Sequence, residues 1–140
     1  MKKVKIMVFG TFDGLHLGHL NFFQQARALA SNSFLIVSIA RNVNIKKIKG
    51  SEPEFSEKKR LALVQKTKLA ERVILGDKKE YLKHILKEKP NIIALGYDQK
   101  AYVRNLRKDL KDKNLKIKII RLKSYKKNIY KNTLLKKLVQ

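Results

Sequence analysis

The order of hydrophobic patterns along this chain predicts an α/β fold with a parallel sheet. Two observations carry the prediction. Short apolar runs alternate with longer amphipathic stretches from one end of the chain to the other. One of those runs, Phe34-Leu35-Ile36-Val37-Ser38-Ile39-Ala40, is almost wholly apolar, as strands covered on both faces are. There are no internal repeats and no linker-like segment, so the 140 residues are read as one domain, long enough to bury a core.

Each element has its own signal. Val4 to Phe9 is a short apolar run stopped by Gly10 and reads as the first strand, with Phe34 to Ala40 as the second. Arg72 to Leu75, Asn91 to Leu95 and Lys116 to Arg121 follow. The last alternates, Ile117 and Ile119 against Lys116 and Lys118, which suits an edge strand. Between them, Leu17 to Ala30 carries Leu20, Phe23, Ala26, Arg27 and Ala30 at helical spacing. A second helix is expected over Ser56 to Lys66, capped by the Ser56 hydroxyl, with Lys59 where a capping box would have Glu. Lys79 to Lys89 is stopped by Pro90, and further helices are expected at Tyr102 to Lys113 and about Lys131 to Val139. Arg41 to Phe55, with Lys46, Lys47, Lys49, Gly50 and Pro53, reads as the one long irregular stretch, and long loops in compact domains are often functional.

Composition narrows the chemistry. With no cysteine, disulfides, thiolate zinc sites and cysteine nucleophiles are excluded. The Met-Lys-Lys start is followed by an apolar run too short and too interrupted for a signal peptide, and no stretch approaches the ~20 apolar residues of a membrane span. A cytoplasmic protein is expected. The net charge is +23, which raises nucleic acid or an acidic membrane as partners. Only seven of the 34 basic residues are Arg, the side chain suited to bidentate phosphate and base recognition, and the lysines are spread along the whole chain. A general lysine bias is the better account, so no specific nucleic acid and no membrane are expected as partners. Such a field would still draw in small polyanionic substrates.

Open parallel sheets bind ligands outside the carboxyl ends of their strands. The first strand runs into Gly10-Thr11-Phe12-Asp13-Gly14-Leu15-His16-Leu17-Gly18-His19, the second into Arg41 and the lysine-rich stretch, the fourth into Gly96-Tyr97-Asp98-Gln99. Three unusual segments are therefore expected at one edge of the sheet. His16 and His19, three apart at a helix start, face the same side, and Gly18 lets a ligand approach the backbone. A helix N-terminus is an anion site, and two imidazoles beside it would stabilise charge developing on phosphate oxygens. The alternatives are weaker. The glycines at 10, 14 and 18 resemble a membrane dimer motif, but Asp13 and the histidines exclude lipid. A zinc site would need Asp13 or the distant His84 as a third ligand, and no metal site is expected. No P-loop pattern exists anywhere in the chain. Read without a ligand, the histidines are ordinary helix-start residues.

The run GTFDGLHLGH resembles the nucleotide-binding motif of the cytidylyltransferase-like nucleotidyltransferases, a specific match over ten residues. Ile93-Ala94-Leu95-Gly96-Tyr97-Asp98-Gln99 is most similar to the archaeal FAD synthases within that superfamily, as is Lys46-Lys47-Ile48-Lys49-Gly50 with Pro53 and Arg60. The resemblance spans essentially the whole chain. It implies a Rossmann-like five-stranded parallel sheet flanked by helices, a homodimer, and a divalent cation, Mg2+, accompanying the triphosphate. It also implies transfer of AMP from ATP to the phosphate of FMN, giving FAD and pyrophosphate by in-line attack.

Carried onto this sequence, the resemblance assigns Gly10, Thr11, Phe12, His16, Leu17, Gly18, His19, Gly96, Asp98, Tyr125 and Thr133 to nucleotide binding. His16, His19, Lys47 and Lys49 become catalytic, the histidines on the transition-state phosphate and the lysines as neutralising charges. Read without the resemblance, Lys47 and Lys49 are solvated loop charges, Asp98 caps the next helix and Tyr125 packs. The chain also departs from the family. The usual Ser/Thr cluster of the last helix is reduced to Thr133, beside Lys131 and Lys136, and Arg41-Asn42 replaces an acidic residue after the second strand. Two rivals follow: a glycerol-3-phosphate cytidylyltransferase using CTP, and a degenerate nucleotide- or RNA-binding protein without catalysis. The Gly-Tyr-Asp-Gln segment argues against the first, where Trp tends to follow the Asp. The intact histidine pair argues against the second.

Overall fold

The computed structural model describes residues 2–78, 81–99 and 103–124. Its elements, in chain order, are β1 (Val4–Gly10), α1 (Leu17–Arg27), β2 (Ser33–Ile39), α2 (Asn42–Lys49), α3 (Glu57–Lys66), β3 (Arg72–Leu75), α4 (Tyr81–Glu88), β4 (Ile92–Leu95), α5 (Val103–Asp112) and β5 (Lys118–Arg121). The five strands form one sheet in the order β3-β2-β1-β4-β5, with every pairing parallel. The longest pairing joins β1 to β2, from Val4 opposite Ser33 to Gly10 opposite Ile39. The α/β class, the parallel sheet and its five strands are as expected, and β5 is indeed an edge.

Alternation along the strands divides the core into two layers. Ile6 and Val8 of β1 and Leu35, Val37 and Ile39 of β2 are buried with Phe23 and Ala26 of α1 and Val64 of α3. Met7, Phe9, Ile36, Ile93 and Leu95 face the other way, against Ile85 of α4 and Leu106 and Leu110 of α5. Helices on both faces explain why β2 reads as a continuous apolar run. The chain moves outward from β1 through β2 to β3, then returns to place β4 on the far side of β1. That reversal opens a crevice beyond the carboxyl ends of β1 and β4, the switch point where doubly wound sheets take ligands.

Residues 41–55 do not form one irregular stretch, because α2 occupies Asn42–Lys49. Its sequence hides it: Ile45 is its one buried residue, and its first residue is not preceded by a side-chain cap. The missing cap comes from a distance, as the Asn42 N–H donates to the Glu57 carboxylate at 2.7 Å. At the other end Gly50 takes the left-handed conformation (φ 77°) and its N–H donates to the Lys46 carbonyl, a common helix stop. The other termini follow the sequence signals. Ser56 Oγ accepts from the Lys59 N–H at 3.2 Å, and α4 ends just before Pro90 with Lys89 at φ 51°. The last expected helix, 131–139, and with it Tyr125 and Thr133, lie outside the described residues.

Candidate active site

A cavity of about 1150 Å³ opens over the carboxyl ends of β1, β2 and β4. It is lined by the whole run from Gly10 to His19, by Ala40 and one side of α2, and by Gly96, Tyr97, Asp98 and Gln99. The three segments expected at one edge of the sheet do converge. Ligand clefts typically run to ~300–1,000 Å³, so this one is at the large end of that range.

Its centre is the loop between β1 and α1. Phe12 holds a left-handed backbone (φ 51°), uncommon for a side-chain-bearing residue, and Gly14 follows at φ 89°. The Phe12 ring is buried against Phe23, with 5.2 Å between ring centroids, and against the edge of His19 at 5.4 Å. It also folds back over Gly10, where a Cβ would lie 2.5 Å from the ring. Gly10 is therefore required so that the aromatic can turn inward and leave the Thr11–Asp13 backbone lining the cavity.

His16 is the N-cap of α1, its Nδ1 accepting the Gly18 N–H at 3.0 Å. The His16 N–H in turn donates to Nδ1 of His19 at 3.2 Å. This is a capping box built from two histidines in place of Ser/Thr and Glu. The rings stack with centroids 3.8 Å apart. Because both Nδ1 atoms accept, each neutral ring carries its proton on Nε2, so the helix start fixes the tautomer of both. Burial, reinforced by the neighbouring His16, lowers His19 to about 4 against an opposing pull from Asp98. His19 is thus neutral at pH 7, with Nε2–H as its donor. An anionic ligand entering here meets hydrogen-bond donors without a buried full charge.

Arg60 locks the surroundings. Its side chain on α3 is fully buried, at 0% exposure. It donates from Nε to the Phe55 carbonyl at 3.1 Å and from one terminal nitrogen to the carbonyls of Thr11 and Ala40, each at 2.8 Å. The other nitrogen bonds the Asn42 side chain. One guanidinium therefore ties together the histidine loop, the end of β2, the start of α2 and the segment before α3. Asp13 adds a second tie, accepting the N–H groups of Glu54 and Phe55 at 2.6 and 2.7 Å. Partial desolvation opposes its charge, but those two donors with Arg60 and Lys49 nearby hold the carboxyl below its ordinary value.

The segment after β4 is braced from two sides. Gln99 accepts the Gly96 N–H at 2.8 Å and donates to the Phe9 carbonyl at 2.8 Å, fastening it to β1. Arg121 of β5 donates to the carbonyls of Gly96 and Gln99 at 2.8 and 3.1 Å. Asp98 is left exposed on the cavity rim, close enough for its charge to act on His19.

Of the residues singled out from sequence, Gly10, Thr11, Phe12, His16, Leu17, Gly18, His19, Lys49, Gly96 and Asp98 all line the cavity. Lys47 does not; it is exposed on another side of α2. Sequence reasoning missed the work of Arg60, Asp13, Gln99 and Arg121, and missed Asn44, Ile45 and Ile48 of α2. Arg60 did leave one signal: it sits four before the buried Val64, a basic residue on the apolar face of its helix.

A doubly wound sheet with paired histidine donors at a helix N-terminus defines a domain that handles phosphorylated ligands. Comparison with known proteins makes this specific. The Cytidylyltransferase-like family model matches residues 7–137, and the chain belongs to that family. The FAD synthase of Korarchaeum cryptofilum is 39% identical over 114 residues, 81% of this chain and 77% of that protein. The FAD synthase of Methanosarcina barkeri is 42% identical over 114 residues, 79% of this chain and 77% of that one. A crystal structure from Thermoplasma volcanium, named as a lipopolysaccharide core biosynthesis protein, has a TM-score of 0.81 at 34% identity. It covers 89% of this chain and 100% of that one.

Proposed function

We propose that this protein is an FMN adenylyltransferase, transferring AMP from ATP to the phosphate of FMN to give FAD and pyrophosphate. The observation that carries the chemistry is the histidine capping box on the cavity wall: Nδ1 of each ring is used in capping α1, which leaves Nε2–H of each as a donor for phosphate oxygens. The choice of substrates is supported by the similarity to FAD synthases of several archaea, at 39% and 42% identity in the two cases above.

The reaction needs positioning more than acid–base chemistry. The FMN phosphate has a second pKa of about 6, so the group is mostly dianionic at neutral pH, its attacking oxygen carries no proton and no general base is required. That oxygen forms a bond to the α-phosphorus while the bond to the bridging β-phosphate oxygen breaks, and pyrophosphate leaves with the electron pair. His16 and His19 donate from Nε2 to the phosphate oxygens as charge builds on them, with the Thr11–Phe12 backbone and the loop from Gly10 to Gly18 holding the nucleotide. Lys49 neutralises phosphate charge, and Asp98 and Gly96 meet the sugar and base. Tyr125 and Thr133 complete the nucleotide contacts by the family resemblance.

The reading includes Mg2+ with the triphosphate. The ion would be carried by the phosphate oxygens as part of the substrate. A cytoplasmic homodimer is part of the same proposal; among the described residues no helix is long and apolar enough to cross a membrane. The test is pyrophosphate release with ATP or CTP crossed against FMN and glycerol 3-phosphate. ATP with FMN is expected to be the productive pair. Faster turnover of CTP with glycerol 3-phosphate would transfer the assignment to that reaction, and binding of ATP without any turnover would favour a non-catalytic role.

A further inference from the structure

We infer that the cavity side of α2 is the subsite for the acceptor's ring system, with Ile48 and Ile45 as its apolar wall and Lys49 placed for its phosphate. The inference rests on the FMN reading above and deepens it. Asn44, Ile45, Ile48 and Lys49 all line the cavity, and a spacing of one, three and one residues puts them on a single helix face. Ile45 is buried and anchors the helix, so packing of the domain does not require a second isoleucine. Ile48 is nevertheless 70% exposed, the most exposed of the large hydrophobic side chains among the described residues. An isoleucine that the fold leaves bare on a cavity wall is covered when a flat apolar ligand enters.

The topology separates this wall from the nucleotide. β1 leads to the histidines, β2 on one side leads to α2, and β4 on the other leads to Gly96–Gln99. Two substrates meeting at the histidines therefore approach from different wings. The β4 wing presents backbone, Asp98 and the exposed Tyr97 ring, suited to the hydroxyls and the stacked base of a nucleoside. The α2 wing presents aliphatic carbon, suited to a tricyclic ring, with an ammonium at its end. Lys49 lines the same cavity as Asp13 of the histidine loop. A small acceptor such as glycerol 3-phosphate would gain nothing from Ile48.

The experiment compares the wild-type protein with Ile48→Asp and Val43→Ser. Val43 is on α2 but not on the cavity. For each, KM is measured for FMN and for ATP, FMN affinity is measured without ATP by quenching of flavin fluorescence, and stability by urea unfolding. Covering an isoleucine side chain supports an expected loss of about 10-fold or more in FMN affinity and FMN KM for Ile48→Asp. ATP KM and the urea midpoint are expected to hold, and Val43→Ser to match wild type. Unchanged FMN affinity in Ile48→Asp, or an equal rise in ATP KM, overturns the inference while a wild type that makes FAD keeps the FMN reading. A wild type that neither binds FMN nor forms FAD overturns both.

Discussion

The main-chain N–H of His16 donates to Nδ1 of His19 at 3.2 Å, so the first histidine of the motif orients the second through the backbone. The reciprocal bond, from the Gly18 N–H to Nδ1 of His16, completes the cap and leaves both rings protonated on Nε2. Helix capping and the proposed phosphate contacts therefore use opposite nitrogens of the same two rings.

Capping and catalysis should separate by substitution at His16. Asn accepts a backbone N–H as an N-cap but offers nothing equivalent to the imidazole Nε2–H. His16→Ala is expected to lose about 1 kcal/mol of stability and ~100-fold or more in turnover. His16→Asn should recover most of the stability and none of the turnover. Urea unfolding and pyrophosphate release measure the two; an Asn variant with near-normal rates would confine His16 to capping.

His19 predicts an acid-labile component of stability. Its value in the fold, about 4, is below its ordinary 6.5, so the folded state binds fewer protons than the unfolded. The contribution is full above pH 6.5 and is lost as pH falls from 6.5 toward 4, on the order of 1–2 kcal/mol after allowing for solvent screening of a partly exposed ring. Gln at this position still accepts the His16 N–H and does not titrate. The urea midpoint of His19→Gln should thus fall less than that of wild type between pH 7 and pH 4.5, while its turnover at pH 7 drops. Parallel midpoints would show that His19 protonates as readily folded as unfolded.

Arg60→Met should unfold far more readily than wild type. It strands the carbonyls of Thr11, Ala40 and Phe55 without their donor, and each unsatisfied buried group costs about 1–3 kcal/mol. A loss of about 3 kcal/mol or more in urea unfolding is expected. A loss below 1 kcal/mol would mean that water or a rearranged loop replaces the guanidinium.

The +23 charge leads to a further expectation, about nucleic acid. Binding of RNA or DNA should be weak, indifferent to sequence, and lost steeply between 50 and 200 mM salt, as contacts made only by scattered lysines are. Sequence-selective binding that survives physiological salt, measured by fluorescence anisotropy on unrelated oligonucleotides, would make nucleic acid a real partner.

Local patterning by itself determined the strand–helix alternation and the placing of Gly10–His19, the α2 region and Gly96–Gln99 at one sheet edge. Strand polarity, burial on two faces and a helix start at His16 are all carried by residues close together in the chain. Only the tertiary structure decided the rest, because the interactions involved join distant residues. The cap that makes α2 a helix is Glu57, fifteen residues beyond Asn42, so a lysine-rich segment with one buried isoleucine reads as a loop until the fold supplies its partner. Arg60 is a site-building residue only because folding brings Thr11 and Ala40 within hydrogen-bond reach of a guanidinium 49 and 20 positions away. The same holds for the lysines: Lys47 and Lys49 are alike in sequence, and the turn of α2 brings Lys49 alone to the cavity. Residue type sets which chemistry is available, and the sheet's reversal at β1 sets which residues share one space.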